Sequence, residues 1–214
     1  MGESVLRKEN ISDAVIRRLP RYYRQLSELR ARGITRVSSL SLGREMGITA
    51  SQIRQDFSCF GEFGQQGYGY HVRELCEEIG RILGVDRNHH LILVGVGHLG
   101  HALLQNFPFG KCGFTVDAAF DVAPGVIGAT VNGVTVRGMG DMEAWLGKNP
   151  VDVVVLTIPR EVAQSVADRL VSLGVRGFWN FTNVELSSAN PEVKFENIHF
   201  ADSLLTLSYR IAND

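Results

Sequence analysis

Three glycines follow a short apolar run at a spacing that suits phosphate binding. Leu91 to Val94 are apolar, and Gly95, Gly97 and Gly100 come next in the pattern G-x-G-x-x-G. In a strand–turn–helix unit the first glycine permits a tight turn, the second lets a pyrophosphate approach the backbone, and the third allows close helix packing. The N–H groups that begin the helix would face the phosphates. The predicted phosphate-binding residues are Gly95, Val96, Gly97, His98, Leu99 and Gly100.

A carboxylate stands where such a unit would bind a ribose. A second apolar run, Phe114 to Phe120, leads into Asp121, 21 residues after Gly100. An acidic residue at about 20 residues binds the ribose hydroxyls of NAD. No Lys or Arg lies between Asp121 and Ile127, so a 2′-phosphate would meet repulsion and no partner. The pattern favours NAD(H) over NADP(H).

Two later apolar runs add residues to the same predicted site. Val151 to Thr157 and Val175 to Phe181 are predicted strands. Because ligands of a doubly wound parallel sheet bind at the carboxyl ends of its strands, Thr157, Pro159 and Asn180 are predicted to lie near the cofactor.

The first third of the chain has a different pattern, a short helix, a glycine break and a second helix. Gly47 separates the two, and Thr49-x-x-Gln52 forms a capping box in front of inward-facing Ile53 and Phe57. This is the helix-turn-helix pattern, although plain helical bundles also contain such pairs. The exposed side chains of the second helix suit base edges and phosphates. The predicted DNA-contacting residues of this helix are Ser51, Gln52, Arg54 and Gln55.

Glycines alternate with aromatic residues and amides in Gly61 to Tyr70. The composition suits a small β-hairpin, or wing, beside the preceding helix. Gln65, Gln66 and Tyr68 are then predicted to touch the DNA backbone or minor groove. A flexible linker is the alternative.

Helical and strand elements must hold these residues, and 214 residues suffice for two domains. The predicted first helix buries Val15, Ile16, Leu19, Tyr23, Leu26 and Leu29, with Pro20 as a kink or a restart. The predicted short helix before Gly47 buries Leu40, Leu42 and Met46. After about residue 90, strands alternate with helices, which predicts an α/β fold with a doubly wound parallel sheet. The predicted boundaries are 1–84 for the DNA-binding domain, 85–90 for a linker, 91–200 for the nucleotide-binding domain and 201–214 for a final helix.

The beginning of the chain is basic and the remainder is acidic. Residues 1–73 hold 12 basic and 7 acidic residues, and residues 74–214 hold 10 and 16. A basic first part suits a polyanionic partner. The three cysteines are scattered, which argues against disulfides and zinc. With no apolar stretch of membrane-spanning length and no signal-peptide pattern, we expect a cytoplasmic protein that binds no metal and no membrane.

Taken in order, these segments resemble the Rex family of redox-sensing bacterial transcriptional repressors. The resemblance covers nearly the whole chain. It rests on these segments: Arg18 to Arg24, Ser51 to Phe57, Phe60-Gly61, Gly64 to Tyr70, Gly95 to Gly100, Phe120-Asp121, Thr157 to Arg160, Trp179 to Phe181 and Leu204 to Tyr209.

The resemblance implies a winged helix-turn-helix domain, a Rossmann domain and a homodimer whose C-terminal helix is exchanged between subunits. It implies that NADH releases DNA and that NAD⁺ permits binding. In the family, the recognition helix and the wing read a palindromic operator. The corresponding residues here are Arg54 and Gln55 in the helix and Gln66, Gly67 and Tyr68 in the wing. It further implies that Phe200 reaches the partner's nicotinamide and that Arg24 couples the two domains.

Two positions depart from the family pattern. His98 stands where asparagine or arginine is common, and its imidazole could bond a phosphate or face solvent. His199 stands where several members carry aspartate. A carboxylate link to Arg24 would then be missing.

The implied switch needs a pocket that distinguishes the two cofactor forms. Apolar surroundings from Ile158, Pro159 and Phe200 would disfavour the cationic ring of NAD⁺ through desolvation. An NAD-dependent dehydrogenase is one alternative, but none of the five tyrosines has a Lys four residues on, and no catalytic residue is predicted. A module for coenzyme A or another adenosine ligand is the second alternative, and it would not require Asp121.

Overall fold

The structure is a computed structural model that describes residues 11–61, 63 and 68–213. The chain divides into two compact units, Met1–Asp86 and Arg87–Asp214. Among the helices of the described ranges, none has both the length and the apolar character needed to cross a membrane. Each unit is described by itself below.

Helices dominate the first unit, and two of them begin at side-chain caps, one of which, Thr49, was predicted above. The Ser38 hydroxyl accepts a hydrogen bond from the Ser41 N–H, and the Thr49 hydroxyl accepts one from the Gln52 N–H. The left-handed backbone of Gly47, at φ +67°, ends the helix before Thr49. The elements are α1 (Asp13–Ala31), β1 (Arg36–Val37), α2 (Ser39–Met46), α3 (Ala50–Ser58), β2 (Tyr70–His71) and α4 (Val72–Leu83).

The buried face of α1 differs from the predicted one. The helix continues through Pro20, which neither restarts nor ends it. Ile16 is exposed, and Tyr22 rather than Tyr23 is fully buried. At 100° per residue Tyr22 lies about 20° from Val15 around the helix, whereas Tyr23 and Ile16 lie about 80° and about 100° away. Leu40 of α2 is also exposed, against the prediction. The buried residues of α1 are Val15, Leu19, Tyr22, Leu26 and Leu29.

The predicted wing falls largely outside the described residues, and Gln65, Gln66 and Gly67 are among those not described. The strand that follows, β2, pairs antiparallel with β1, so that Val37 lies opposite Tyr70. The backbones of Gly69 and Val37 lie close together, since a Cβ on Gly69 would lie 2.6 Å from the Val37 carbonyl oxygen.

A seven-stranded sheet forms the second unit, in the order β5-β6-β4-β3-β7-β8-β9. All neighbouring pairs are parallel except β5–β6. The chain runs outward from β3 to β6 and then returns to β7 on the other side of β3, which is the reversal of a doubly wound sheet. The predicted fold class is confirmed. The elements are β3 (His89–Val94), α5 (His98–Asn106), β4 (Phe114–Asp121), β5 (Thr130–Val131), β6 (Val134–Gly138), α6 (Met142–Leu146), β7 (Val153–Leu156), α7 (Arg160–Ser172), β8 (Gly177–Asn180), β9 (Lys194–Asn197) and α8 (Phe200–Ala212).

Some elements differ from their predicted bounds. His89 and His90 belong to β3 rather than to the predicted linker, because His90 and Asp152 exchange backbone and side-chain hydrogen bonds that extend the ladder. The hairpin of β5 and β6 was not predicted. Its turn residues Asn132 and Gly133 have φ +47° and φ +82°, and Asn-Gly between alternating apolar residues is a recognised hairpin signal.

Apolar side chains cover both faces of the sheet. One face packs Ile92 and Val94 of β3 against Ala163 and Leu170 of α7. On the other face, Leu93 belongs to an apolar cluster with Leu104 of α5 and with Phe109. The last helix, α8, buries none of its residues, so it does not pack on its own sheet.

Candidate functional site

The carboxyl edge of the large sheet brings most of the predicted cofactor residues together. Asp121 ends β4, Gly95 follows β3, Thr157 follows β7 and Asn180 ends β8. These four strands are neighbours and run parallel, so their ends lie along one edge. The reversal of the sheet falls between β3 and β7, where doubly wound sheets bind ligands.

Steric limits fix the glycine turn. Gly95 has φ +97°, and a Cβ there would lie 2.7 Å from the Thr157 carbonyl oxygen and 2.8 Å from the Ile158 Cγ2. A Cβ on Gly100 would overlap the Gly95 carbonyl oxygen. At both positions only glycine lets α5 approach β3 and β7 this closely.

The turn leaves space and hydrogen-bond donors for an anion. A Cβ on Gly97 would meet no atom within 4 Å, in contrast to its two neighbours in the motif. Gly97 begins α5 without a side-chain cap, and His98 and Leu99 in its first turn are exposed. An uncapped helix start presents N–H groups and a positive dipole end, so the turn fits a pyrophosphate. Val96 is buried at 4% exposure and contributes its backbone only.

Asp121 connects the glycine turn to the next strand end. Its Oδ2 accepts a hydrogen bond from the Val96 N–H at 2.5 Å, and its Oδ1 accepts one from the Ala123 N–H at 2.8 Å. The carboxylate is half-buried beside the turn. Each Asp121 carboxylate oxygen has a further lone pair that can accept a hydrogen bond from a ribose hydroxyl.

Thr157 and Asn180 hold the edge together from the other side. The Thr157 hydroxyl donates to the Gly95 carbonyl at 2.6 Å, which supports the turn from β7. Asn180 is 1% exposed, and its amide donates to Val184 O and Asn197 Oδ1 while its Oδ1 accepts from Thr182. The Asn180 side chain is therefore engaged by the loop that follows β8 and by the end of β9. Next to Thr157, Ile158 is half-buried and Pro159 exposed.

Phe200 begins α8 and lies beside Phe181. It is 61% exposed, and its ring lies 5.9 Å from that of Phe181. The preceding His199 pairs with Glu185 at 2.9 Å, within its own unit. Arg24, the residue that the resemblance assigns to coupling, is exposed on α1.

The predicted DNA-contacting residues of α3 divide into two groups. Ser51, Arg54 and Gln55 are exposed, and the Arg54 guanidinium donates to the Ser39 hydroxyl at 3.1 Å. Gln52 is half-buried, and its side-chain amide donates to Asp56 Oδ1 at 2.8 Å. Tyr68 is 69% exposed.

A buried ionic network behind α3 was missed by sequence reasoning. Asp56 is fully buried, and its carboxylate accepts hydrogen bonds from Arg18, Tyr22 and Gln52. Burial alone would raise the pKa of Asp56, but these three donors outweigh it and hold the pKa below its ordinary value of 3.8. Burial and the bond to Asp56 raise the pKa of Tyr22. A signal was present, because Asp56 occupies the same inward spacing as Ile53 and Phe57.

Comparison with known proteins matches both units. The family described as "Putative DNA-binding protein N-terminus" matches residues 10–58, and the "CoA binding domain" family matches residues 86–184. A redox-sensing transcriptional repressor Rex from Clostridium beijerinckii is 47% identical over 201 residues, which cover 94% of this chain and 95% of the relative. The chain belongs to the Rex family of redox-sensing transcriptional repressors. A Rex from Clostridium botulinum is 43% identical over 205 residues, which cover 96% of this chain and 97% of that one.

Solved Rex-family structures share this architecture. The crystal structure of the repressor RSP in complex with beta-NAD⁺ and operator DNA has a TM-score of 0.89 and 44% identity, covering 96% of this chain and 94% of that one. RSP in complex with beta-NADH has a TM-score of 0.88 and 41% identity, covering 96% of both chains. The predicted family and the repressor function are confirmed, and the dehydrogenase alternative is disfavoured.

Proposed function

We propose that this Rex-family chain forms a cytoplasmic homodimer that binds a palindromic operator and releases it when NADH binds. The fit of the glycine turn and Asp121 to a dinucleotide carries the proposal. RSP, a relative of similar fold, has been crystallised with NAD⁺ and operator DNA and with NADH. The site residues below are proposals on the same footing.

Different residues of the chain would bind different parts of the dinucleotide. The N–H groups of Gly97, His98 and Leu99 would bind the pyrophosphate, and Asp121 would accept the ribose hydroxyls. Gly95, Val96 and Gly100 would hold the turn in shape, with Thr157 behind it. Asn180 would act from its buried position by shaping the loop after β8.

Selection between the two cofactor forms requires a difference in binding free energy. The nicotinamide ring is cationic in NAD⁺ and neutral in NADH. Ile158, Pro159 and Phe200 would disfavour the cation, because apolar surroundings solvate a charge poorly. Stronger binding of NADH to the arrangement that cannot bind DNA would then release the operator.

Two surfaces of the second unit support a homodimer with exchanged helices. The apolar side chains of α8 are exposed, including Leu204 and Leu205 at 67% each. A cavity of about 460 Å³ in the same unit is lined mainly by apolar and aromatic side chains, which include Phe107, Phe109 and Trp179. Exchange of α8 between two copies would cover both surfaces at once.

DNA contacts would come from the first unit. Ser51, Gln52, Arg54, Gln55 and Tyr68 lie in its described part, and Gln65, Gln66 and Gly67 are proposed from the sequence alone. In a dimer the spacing of the two α3 helices would have to match half-sites about 34–36 Å apart, or a multiple of that distance. Any change in the spacing of the two α3 helices would therefore change operator affinity. Arg24 is the proposed residue that couples the nucleotide-binding domain to the DNA-binding domain.

The test is cofactor-dependent DNA binding by the purified full chain. A random-sequence duplex pool is first selected against the protein, and the enriched duplex is then titrated with NAD⁺, NADH or coenzyme A at one stated salt concentration. We expect an inverted repeat, a dimeric mass in light scattering and weaker binding with NADH only. Equal DNA affinity with NADH and NAD⁺ would refute the switch, and release by coenzyme A would favour the adenosine-ligand module.

A further inference from the structure

We propose that Asp56 determines which side chains of α3 read DNA bases, by holding Gln52 as a positioning residue and leaving base reading to Ser51, Arg54 and Gln55. The proposal rests on the operator binding proposed above. It assigns to Gln52 a role different from the one its exposed position in the sequence pattern indicated. The network behind α3 supplies the reasons.

Gln52 does not behave as the second member of a capping box. In a full box its side chain would return to the Thr49 N–H, but the amide instead reaches one turn forward to Asp56 Oδ1, at 2.8 Å. At 100° per residue, Gln52 lies about 40° from Asp56 around the helix, whereas Ser51 lies about 140° and Arg54 about 160° away. Gln52 therefore flanks the buried face.

The carboxylate has no capacity to spare. Asp56 Oδ2 accepts from Arg18 Nε at 2.6 Å and from the Tyr22 hydroxyl at 2.7 Å. Its Oδ1 accepts from Arg18 Nη2 and from Gln52 Nε2, both at 2.8 Å. These four bonds match the lone-pair sites of an ionised carboxylate. If Gln52 turned towards a base, the buried Asp56 Oδ1 would lose one of its two donors and keep only Arg18 Nη2, which weakens the network.

The network spans two helices that are distant in sequence. Arg18 and Tyr22 are one turn apart on α1, and Asp56 lies 38 and 34 residues further on, in α3. A bidentate guanidinium–carboxylate pair has a narrow geometry, so it fixes the rotation of α3 about its own axis. That rotation decides which residues face outward.

A matched pair of glutamine truncations tests the assignment directly. Selection from a random duplex pool is repeated with Gln52→Ala and Gln55→Ala, two changes on the same helix. We expect Gln55→Ala to lose base preference at one position of each half-site by roughly 5- to 150-fold, the worth of one base contact. Gln52→Ala should select the same sequence as the parent. A change of base preference of similar size in Gln52→Ala would overturn the proposal, as would an unchanged preference in Gln55→Ala, Ser51→Ala and Arg54→Ala alike.

A second measurement separates positioning from stability. Asp56→Asn keeps the shape of the side chain, and Asp13→Asn is its control, since Asp13 forms an exposed pair with Arg17. We expect Asp56→Asn to weaken binding of the selected duplex by about tenfold or more, with binding of a scrambled duplex held within about twofold by phosphate contacts. Parallel loss of both affinities would indicate a merely structural role and overturn the proposal.

The outcomes also separate this proposal from the function on which it rests. If the parent protein enriches no duplex, operator binding fails and the role of Asp56 fails with it. If the parent selects an operator and responds to NADH, only the present assignment is overturned when Gln52→Ala changes base preference or when Ser51→Ala, Arg54→Ala and Gln55→Ala all leave it unchanged. Should Asp56→Asn not fold, as judged by circular dichroism, the glutamine pair decides the matter.

Discussion

The glycine turn of the second unit and the helix α3 of the first unit hold their functional residues in different ways. The turn is shaped by the absence of side chains, since a Cβ at Gly95 or Gly100 would collide with backbone atoms. Helix α3 is held by the presence of charged side chains, Arg18 and Asp56, in a buried network. The first device can be recognised by residue spacing alone. The second joins residues far apart in sequence and shows itself only in the folded unit.

The difference has an energetic consequence. A glycine turn fails locally when a methyl group is added, because neighbouring backbone must shift. The Asp56 network fails more severely when its carboxylate is removed, because the buried Tyr22 hydroxyl and the half-buried Arg18 guanidinium lose their acceptor at the same time. Perturbations of the two regions should therefore differ in size and in which unit they affect.

The largest effect is expected from Asp56→Ala. Removing the carboxylate leaves the buried Tyr22 hydroxyl and the Arg18 guanidinium, whose side chain is 26% exposed, without their acceptor. A buried donor left unsatisfied costs about 1–3 kcal/mol, and Asp56→Ala removes the acceptor of several donors at once. Urea denaturation followed by circular dichroism should show that loss in the first unit. NADH fluorescence should be unchanged, because the turn lies in the other unit. The control Asp13→Ala should change stability by less than about 1 kcal/mol, since its pair is exposed. Equal stability of the two variants would contradict the comparison.

Gly100→Ala comes next, and it tests the turn. The added methyl would overlap the Gly95 carbonyl oxygen, and such overpacking costs about 1–3 kcal/mol. We expect NADH binding, measured by fluorescence titration, to weaken correspondingly. Gly140→Ala is the matched control, because a Cβ there meets nothing within 4 Å. An NADH affinity that is the same in both variants would show that the turn does not hold the cofactor.

Asp121→Asn sharpens the choice of ligand. The amide keeps the size of the side chain but loses the charge, and a hydrogen bond to a charged group is worth about 1.5–3 kcal/mol. NADH affinity should fall by at least about tenfold. Asp117→Asn, on the same strand, controls for a general loss of charge. Unchanged NADH affinity in Asp121→Asn would return the adenosine-ligand module to consideration.

The smallest effect expected near neutral pH is the one that protonation changes in the Asp56 network have on folding stability. It becomes large only at strongly acidic or strongly basic pH. Because the folded pKa of Asp56 lies below its ordinary value of 3.8, its contribution to stability is present above that value and is lost as pH falls through the folded pKa. The raised pKa of Tyr22 predicts a second loss as pH rises above its ordinary value of 10.0. Urea midpoints across pH measure both limbs, and Asp56→Asn should flatten the acid limb. An acid limb as steep in Asp56→Asn as in the parent would assign it to other groups.

Much of the site could be predicted because its signals are local. The glycine spacing, the apolar run before it and Asp121 together specify a strand, a turn and a helix, and the structure brings them to one edge of the sheet. Local pattern failed at the strand pairing of β2, since β1 lies more than 30 residues earlier. It also failed for the side chain of Asn180, which donates to Asn197 at the end of β9 as well as to Val184 in the loop that follows β8.

The sequence by itself determined the family, the two-unit organisation into helices followed by a parallel sheet, and the steric need for glycine in the turn. These follow from residue type and short spacing, which act through backbone sterics and hydrophobic periodicity. Only the tertiary structure decided that Gln52 turns inward to Asp56 while Gln55 stays exposed. The reason is that a side chain's direction depends on which donors and acceptors lie nearby in space, and Arg18 and Tyr22 reach Asp56 only after α1 packs behind α3.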